Sequence, residues 1–369
     1  MKSTVAEAGD RSSDGSAITV SFYGDVCLDG IDPAGYEIDD AIVQLARSSE
    51  LNVANLECPL THSTDSLPLK SAIHKAEPVP SPILELFDVF SLANNHIMDY
   101  RTLGLQDTLE FLDKSQKRYF GAGLDRGRAL KPLVLEHHGL RFAFVGFSRW
   151  QTATRNGAGT APDRIRRIVR LVRELSEAGC FVVVYPHWNY EYIDLPAPSN
   201  RKIAHRLIDA GAHLVVGSHP HVIQGYEPYR GRMIYHSMGN FVFDTNTYSP
   251  EDRADGRIHQ SFVLTLEVNA DRRYSARLTP VYTHTSGVRV LRGDDGDGVI
   301  SRLAGLSQTL EDEANWRRSF YRSAVREAGK VSREMGQMIR KQGPMYVLSR
   351  LHRIKVQDVK IKLYSLLSR

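Results

Sequence analysis

Five short apolar runs in this sequence each end in polar residues of the kinds that bind metal ions or transfer protons. Runs of this length that are rich in Val, Ile, Leu and Phe predict buried β-strands. Strands that alternate with helical segments predict an α/β fold, with functional groups at the carboxyl ends of the strands. The predicted strands are residues 18–23, 51–56, 88–93, 181–185 and 214–217, and the polar residues after them are Asp25, Glu57, Asn95 with His96, His187, and His219 with His221.

The segment LVVGSHPH, residues 214–221, is the most informative of the five. Its strand enters a turn in which two imidazoles stand on either side of Pro220. We expect an irregular backbone, which the proline helps to fix, to direct His219 and His221 towards a metal ion. The alternative is a pair of loop histidines with no ligand.

The remaining segments predict a mixed architecture. Residues 61–82 contain four prolines and predict a long loop over the site. After His221, shorter segments alternate apolar and polar residues, which predicts antiparallel strands. Those strands are predicted at 233–237, 241–243, 261–268, 274–282 and 288–291, and helices at 40–48, 102–114, 162–178, 200–210, 298–310 and 314–341.

Length and composition predict the domain organisation. The 369 residues, 42% of them hydrophobic, are enough for one large α/β domain with an appendage. The predicted parts are a disordered leader (1–16), the α/β domain (17–293) and a basic helical extension (294–369). Three scattered cysteines do not make a disulfide framework, so we expect a reducing, cytoplasmic location. No window approaches the roughly 18 apolar residues of a membrane-spanning helix.

The extension carries most of the positive charge. From residue 314 to residue 369 there are 14 Lys and Arg against three acidic residues, whereas the whole chain has a net charge of +4. Three interpretations remain open: a helical segment packed on the domain, peripheral contact with an anionic membrane at its inner face, or a strip that binds a polyanion. Nucleic acid is not expected, because no recognised binding motif accompanies the charge.

The strand-end residues predict a metal centre. Two carboxylates, one amide and four imidazoles suit Zn²⁺, Mn²⁺ or Fe²⁺ better than Mg²⁺ or Ca²⁺, which prefer shells of oxygen ligands. One ion rarely needs so many ligands. Two divalent ions about 3.5–4 Å apart, sharing a carboxylate, would use them and would activate a water molecule for attack on a phosphoester. The predicted reaction is metal-assisted hydrolysis.

Six motifs stand in order along this chain: GDV at 24–26, NLECPLT at 55–61, NNHIMD at 94–99, PHWNYEY at 186–192, GSHPHVIQG at 217–225 and YHSMGNFVFD at 235–244. Together they resemble the ordered motifs of the CapA family. That family is associated with poly-gamma-glutamate capsule synthesis and resembles the calcineurin-like metallophosphoesterases. The resemblance covers about residues 17–290 and implies a four-layer αββα sandwich with a two-metal site.

The resemblance implies a role for each matching residue. The implied metal ligands are Asp25 and His221 for the first ion, Asn95, His187 and His219 for the second, and Glu57 as the bridge. Phosphoesterases usually have Asp at the bridging position. They also usually carry a His two residues after the first Asp, where this chain has Cys27. The first ion would therefore have one ligand fewer.

Four further residues are implied in catalysis or substrate binding. His96 would protonate the leaving group or contact the phosphate, and Asp99 would orient His96 or cap the following helix. Glu191 would bind substrate or hydrogen-bond His187, and Asn240 would contact the substrate near the metals or serve a turn.

Two functions are compatible with these features. The first is a CapA-like metal-dependent hydrolase that cleaves a phosphoester or a polyglutamate-like amide. The second is a non-catalytic protein that binds an anionic polymer during its synthesis or export and retains a vestigial metal site. Cys27 favours the second function, and the retained amide and imidazoles favour the first.

Overall fold

The computed structural model describes residues 6–8, 17–68, 70 and 72–342, with side chains described from residue 17 to residue 330. Most of the predicted leader and the basic segment from residue 343 onwards lie outside the described residues. Within the leader, the strand Ala6–Ala8 pairs with a strand of the main sheet.

The strands are numbered here in chain order. They are β1 (Ala6–Ala8), β2 (Ile18–Val26), β3 (Glu37–Ile38), β4 (Leu51–Leu56), β5 (Val89–Ser91), β6 (Arg118–Phe120), β7 (Ala122–Gly123), β8 (Leu133–His137), β9 (Leu140–Ser148), β10 (Gly159–Thr160), β11 (Phe181–His187), β12 (Leu214–Val216), β13 (Ile223–Tyr229), β14 (Arg232–Met238), β15 (Asn240–Val242), β16 (Gln260–Val268), β17 (Tyr274–His284) and β18 (Gly287–Val290).

The helices are numbered in the same way. They are α1 (Asp40–Arg47), α2 (Pro82–Glu85), α3 (Arg101–Lys114), α4 (Arg126–Ala129), α5 (Ile165–Glu177), α6 (Pro198–Asp209), α7 (Pro250–Asp255), α8 (Gly293–Glu311) and α9 (Glu313–Gln342), with 3-10 turns at Thr245–Thr247 and Arg257–His259. Among the helices of the described residues, none combines the length and the apolar character that crossing a membrane requires.

Two large sheets contain most of the strands. In the described residues the first sheet has the order β3-β18-β17-β16-β2-β4-β5-β6, with β1 on β17 and β15 on β2. The second has the order β13-β14-β12-β11-β9-β8. Strands β2, β4, β5 and β6 run parallel, as do β9, β11, β12 and β14. The carboxyl ends of each parallel set therefore lie along one edge of its sheet.

Three apolar layers show that the molecule is a four-layer αββα sandwich. One layer joins the inner faces of the two sheets and includes Phe22 of β2 and Phe181 of β11. The second packs α1, α2 and α3 on the outer face of the first sheet, and the third packs α5 and α6 on the outer face of the second. The fold predicted from the sequence is confirmed.

Strand β11 shows how the sequence places these layers. Phe181, Val183 and Tyr185 face the other sheet, whereas Val182 and Val184 face the outer helices. Because side chains alternate across a strand, a strand covered on both faces is apolar without interruption. The outer helices carry one apolar stripe instead: α5 buries Ile168 and Val172, one turn apart.

The prediction of antiparallel strands after His221 was partly wrong. Strand β14 runs parallel to β12, and β15 runs parallel to β2. The pairs β16–β17, β17–β18 and β13–β14 are antiparallel. Alternation of apolar and polar residues reports which face of a strand is buried, and it carries no information on strand direction.

The first part of the C-terminal extension packs on the sandwich. Helix α8 contributes Val299 and Leu303 to the layer between the sheets. Helix α9 buries Trp316 and Phe320 against a cluster that includes Ile193. The Trp316 indole also donates a hydrogen bond to the carbonyl oxygen of Pro196 at 3.0 Å.

Candidate metal centre

The predicted site residues converge where the carboxyl ends of the two parallel strand sets meet. Asp25 is the second-last residue of β2, and Glu57 directly follows β4. His187 is the last residue of β11. The side chains that share this location are buried, and they are Asp25, Glu57, Asn95, His96, Asp99, His187, His219, His221 and Asn240.

Two groups of potential metal ligands are present, and they share one residue. Glu57 lies with His187 and His219 in one group and with Asp25 and His221 in the other. Within each group the ligand atoms lie within 4.8 Å of one another. This division is the one that the sequence resemblance implied, with Glu57 between two positions.

The Oε1 atom of Glu57 explains why the two groups form one centre. It is buried and accepts no hydrogen bond from the described residues. It lies 3.3 Å from Nε2 of His187 and 3.9 Å from Nε2 of His221. A buried carboxylate oxygen without a donor is costly unless a cation satisfies it. The residues present therefore fit divalent metal ions.

The contact of Nδ1 with Ser218 orients the His187 ring so that Nε2 is available as a candidate ligand. Nδ1 lies 2.9 Å from Oγ of Ser218, and Nε2 lies 2.7 Å from Oδ1 of Asn95. In the tautomer in which Nδ1 donates to Ser218, the Nε2 lone pair meets lone pairs of Asn95 and Glu57. Nε2 of His187, Oδ1 of Asn95 and Oε1 of Glu57 are then three hydrogen-bond acceptors close together, an arrangement typical of atoms that surround a cation.

The turn after β12 has the irregular backbone that the sequence predicts. His219 has φ = 100° and His221 has φ = 59°, both in a region that side chains with a Cβ rarely adopt. Such strain concentrates at functional sites. The His219 amide donates to Oδ2 of Asp25 at 3.2 Å. Gly217 is required before the turn, because a Cβ there would overlap the carbonyl oxygen of His236.

Asn240 lies behind the metal ligands. Its Oδ1 lies 2.9 Å from Nδ1 of His221, and its amide nitrogen donates to Tyr248 and to the carbonyl oxygen of Ile258. Asn240 is fully buried and held by these contacts, so its Oδ1 is in a fixed position to orient His221. Its predicted contact with substrate stays a prediction.

His96, Asp99 and Lys70 form a second polar cluster beside the ligands. Nδ1 of His96 lies 2.8 Å from Oδ2 of Asp99. The ammonium of Lys70 pairs with the other Asp99 oxygen and donates to the carbonyl oxygen of Asn95 at 2.5 Å. The Lys70 ammonium lies 3.0 Å from the same Nδ1, so both Asp99 and Lys70 contact this nitrogen and leave Nε2 as the other ring nitrogen. Asp99 also accepts from the His74 amide, so it does more than cap a helix.

The pKa values at the centre indicate a site that attracts positive charge. Burial raises the pKa of Asp25 to about 7, and the neighbouring Glu57 adds to this rise. Burial also raises the pKa of Glu57 to about 7. Burial lowers the pKa of His187 to about 3, which keeps this imidazole neutral. Bound cations would reverse the burial penalty on both carboxylates.

His96 and His221 are affected in opposite directions. Burial, and then the charge of Lys70, hold the pKa of His96 well below its usual value. Burial also opposes the charged form of His221, but the carboxylates of Glu57 and Asp25 outweigh it and raise the His221 pKa. Neutral His96 is thus distinguished from the candidate ligand His221 by its electrostatic surroundings.

The mouth of the site is partly aromatic. The Trp150 ring lies 4.3 Å from the His219 ring, centroid to centroid, and the Tyr192 ring lies 6.3 Å from that of His221. Glu191, 31% exposed, places Oε1 3.9 Å from Nε2 of His219. Glu191 thus lies beside His219 at a partly exposed position, and its predicted contact with substrate stays a prediction.

Several residues of the centre received no role from the sequence. Asn55 donates to Oδ1 of Asp25 at 2.9 Å, and Asn94 donates to the side chain of Asn55 at 3.1 Å. Both asparagines stand inside the quoted motifs, which was the available signal. Lys70 had a weaker signal, namely its place in the predicted loop over the site. Trp150 had none.

Cys27 takes no part among the ligands of the described residues. It is buried, and its thiol lies against the thiol of Cys58. Burial and this neighbour raise the Cys27 pKa well above its usual value, so the thiol is protonated and is a poor ligand. The first group thus consists of Asp25, Glu57 and His221.

Comparison with known proteins identifies similar chains. The family model described as "Bacterial capsule synthesis protein PGA_cap" matches residues 19–245. The PGA biosynthesis protein CapA of Bacillus subtilis is 32% identical over 246 residues, which cover 64% of this chain and 63% of that protein. The capsule biosynthesis protein CapA of Bacillus anthracis is 34% identical over 182 residues, which cover 47% of this chain and 44% of that protein. The chain thus spans less than two thirds of both relatives.

Among solved structures, a phosphatase from Mycoplasma pneumoniae is similar with a TM-score of 0.46. The similarity covers 77% of this chain and 96% of that one at 13% sequence identity. It is too low to carry an argument about function.

Proposed function

Because the chain belongs to the family of bacterial capsule synthesis proteins PGA_cap, we propose that it is a metal-dependent hydrolase of capsule polymer metabolism. The proposed substrates are a phosphoester or a polyglutamate-like amide. The observation that carries the proposal is the buried Oε1 of Glu57, which has no hydrogen-bond donor among the described residues and belongs to both ligand groups. A shared carboxylate is the feature that distinguishes a two-metal hydrolytic centre from a single structural site.

Two divalent ions, of Mn²⁺, Zn²⁺ or Fe²⁺, are proposed to bind here. Asp25, Glu57 and His221 would hold one, and Glu57, His187 and His219 would hold the other. Asn95 would add its Oδ1, which already lies 2.7 Å from Nε2 of His187. When bound, the ions would supply positive charge at the reacting group and a water of lowered pKa.

The protein itself would handle the proton of the leaving group. Asp99 fixes His96 through Nδ1, at 2.8 Å, so that Nε2 is the nitrogen available to the reaction. Lys70 balances the charge of Asp99 and keeps this pair from drawing a proton at neutral pH. His96 would therefore present Nε2 to the substrate oxygen, and the proton it gives to the leaving group would be one that it first takes from the attacking water.

Substrate recognition is proposed at the partly exposed mouth. Trp150 offers an apolar face over His219, and Glu191 offers a carboxylate that can accept from an amide or amine of the substrate. The guanidinium of Arg149, which lies over the Trp150 ring, would attract an anionic polymer. Such a polymer carries a carboxylate on each repeat, and positive charge near the site would attract it.

A screen of purified protein tests the proposal. Metal-depleted protein is reconstituted with Mn²⁺, Zn²⁺ or Fe²⁺ and assayed on aryl phosphomonoesters, aryl phosphodiesters and poly-gamma-glutamate. We expect hydrolysis of one class, and loss of it in Glu57→Gln. The matched control is Glu136→Gln, at an exposed position on β8, which should keep full activity. Equal activity of Glu57→Gln and the control would contradict the proposal.

Cys27 favours a second candidate, a polymer-binding protein without turnover. Its buried thiol leaves the first ligand group one imidazole short of the metallophosphoesterase pattern. In that case fluorescently labelled polyglutamate binds the protein with or without added metal, and no product forms during prolonged incubation. Metal-dependent product formation excludes this candidate.

A further inference from the structure

A second polar pocket, of about 360 Å³, lies away from the metal centre. Its lining includes Gly211, His213, Arg230, Arg232, Asp271 and Arg272. His213 immediately precedes β12, whereas His219 follows that strand, so the pocket lies at the amino ends of the parallel strands. The two sites therefore lie at opposite ends of the parallel strands. A seven-residue strand such as β11 extends about 20 Å, which indicates their separation.

Turns from different parts of the chain build this pocket. One follows α6 at Gly211, one joins β13 to β14 at Arg230, and one joins β16 to β17 at Arg272. Each of these residues has a positive φ: 105° for Gly211, 50° for Arg230 and 64° for Arg272. The two arginines thus occupy a backbone conformation that favours Gly or Asn. The geometry of a tight turn therefore does not explain why arginine stands at these positions.

The nearby carboxylates are paired with other arginines. Asp209 pairs with Arg230 at 3.0 Å, and Asp271 pairs with Arg273 at 3.2 Å. Arg232 and Arg272 have no carboxylate partner among the described residues, and Arg232 donates to the carbonyl oxygen of Arg272 at 3.3 Å. Two half-buried guanidinium groups thus face one cavity with their charge unbalanced.

His213 adds a neutral donor to the same wall. It is buried, and its Nδ1 accepts a hydrogen bond from the amide of Val182 at 3.2 Å. The ring proton must therefore be on Nε2. Burial, followed by the charges of Arg232 and Arg272, lowers the pKa of His213 to about 3. The imidazole stays neutral at physiological pH and remains a hydrogen-bond donor.

We propose that this pocket, defined by His213, Arg232 and Arg272, is a second binding site for a small multiply charged oxyanion that bears phosphate or carboxylate groups. Guanidinium groups bind both kinds of oxyanion through paired hydrogen bonds. The volume suits a small molecule or the end of an anionic chain. This inference does not depend on the proposed hydrolytic activity.

A different explanation is that the arginines only offset the carboxyl ends of α5 and α6, which reach the pocket at Ser176 and Ile208. Helix carboxyl ends favour nearby cations. That explanation predicts a stabilising role for the arginines and no saturable anion binding, so binding and melting measurements together distinguish it from the proposal.

Isothermal titration calorimetry of metal-depleted, full-length protein with pyrophosphate and with tricarballylate tests the proposal. We expect one equivalent of at least one anion to bind saturably, and that equivalent to bind more weakly in Arg232→Gln and in Arg272→Gln. Each substitution should weaken binding about tenfold, the effect of losing a charge-assisted hydrogen bond. Tighter binding of pyrophosphate would identify phosphate as the ligand group, and tighter binding of tricarballylate would identify carboxylate.

The matched control is Arg277→Gln. Arg277 lies on β17, is exposed and does not line the pocket. This substitution removes the same charge and should leave binding unchanged. No saturable binding at low ionic strength, or an equal loss in Arg277→Gln, would overturn the proposal. Thermal melts of all three variants identify any that fail to fold, and Arg232→Lys then tests the same position with its charge retained.

Discussion

Nδ1 of His221 lies 2.9 Å from Oδ1 of Asn240, on the side of the imidazole away from Glu57. Asn240 is itself fixed by Tyr248 and by the backbone of Ile258. This contact joins β15 to the turn after β12, and so it couples the two sheets at the metal centre. The orientation of one candidate metal ligand thus depends on Asn240, which belongs to neither group of candidate ligands.

Replacing Asn240 should weaken metal binding without removing a ligand. In Asn240→Ala, His221 loses the acceptor that orients it, and we expect metal affinity to fall by about 10–100-fold. Titration of metal-depleted protein with Mn²⁺ measures the change. Asn246→Ala, at an exposed position in the following 3-10 turn, is the control and should bind as the wild type does. Unchanged affinity in Asn240→Ala would show that His221 needs no such support.

Lys70 should contribute to turnover but not to metal content. Without its ammonium, Asp99 keeps no cationic partner, and His96 loses the contact that helps to hold its pKa low. We expect Lys70→Gln to lower kcat about tenfold or more, within the range of a proton-transfer contribution. Lys75→Gln is the control, because Lys75 binds the carbonyl oxygen of Ser63. A change in metal stoichiometry would instead assign Lys70 a structural role at the ligands.

Glu227 should make stability depend on acidity. Burial opposes its charged form, but His205, His236 and Arg201 outweigh burial and hold its pKa below the usual value. Because the folded-state pKa is below the unfolded value of about 4.3, this stabilisation is present above about pH 4.3 and is lost as the pH falls further. Glu227→Gln should lower the free energy of unfolding by about 2 kcal/mol at neutral pH. It should also make that free energy depend less on pH below about pH 4.3.

Chemical denaturation between pH 3 and pH 7 measures this effect. Glu136→Gln, which removes an exposed carboxylate, should follow the wild-type curve. If Glu227→Gln loses stability in acid as steeply as the wild type, the pairing of Glu227 with Arg201 and its two histidines does not stabilise the fold.

Trp316 should hold α9 on the sandwich. It is 2% exposed, donates to the carbonyl oxygen of Pro196 and lies 4.6 Å below the Arg201 guanidinium. Trp316→Ala should remove about 3–5 kcal/mol of packing. We expect faster tryptic cleavage within α9 and loss of amide exchange protection there. Val325→Ala, at a 42% exposed position of the same helix, should leave both unchanged. Equal protection in the two variants would place the anchor elsewhere.

The strands of the sandwich could be predicted only in part. The runs at β2, β4, β11 and β12 are apolar because both of their faces are covered, and this makes them visible in the sequence. Strand β13 was not predicted, because Gln224 and Glu227 interrupt its apolar pattern. Both are buried and bonded to specific partners, which no local pattern reveals.

The candidate site was more predictable than the strand directions. Its residues follow strands or stand in motifs, so their position in the chain implied their position in space. Lys70 and Trp150 could not be found in this way. Both reach the centre from loops, and a loop contact depends on tertiary packing rather than on the period of the sequence.

The central claim is that Glu57 is shared by two metal positions, and metal content measured by inductively coupled plasma mass spectrometry tests it most directly. Wild type, His219→Ala, His221→Ala and Glu57→Gln are reconstituted and desalted under identical conditions. We predict about two ions per chain for the wild type and about one for each histidine variant, because each histidine belongs to one ligand group. Glu57→Gln should retain almost none. Retention of one full equivalent in Glu57→Gln, or a wild type that binds no metal, would contradict the account.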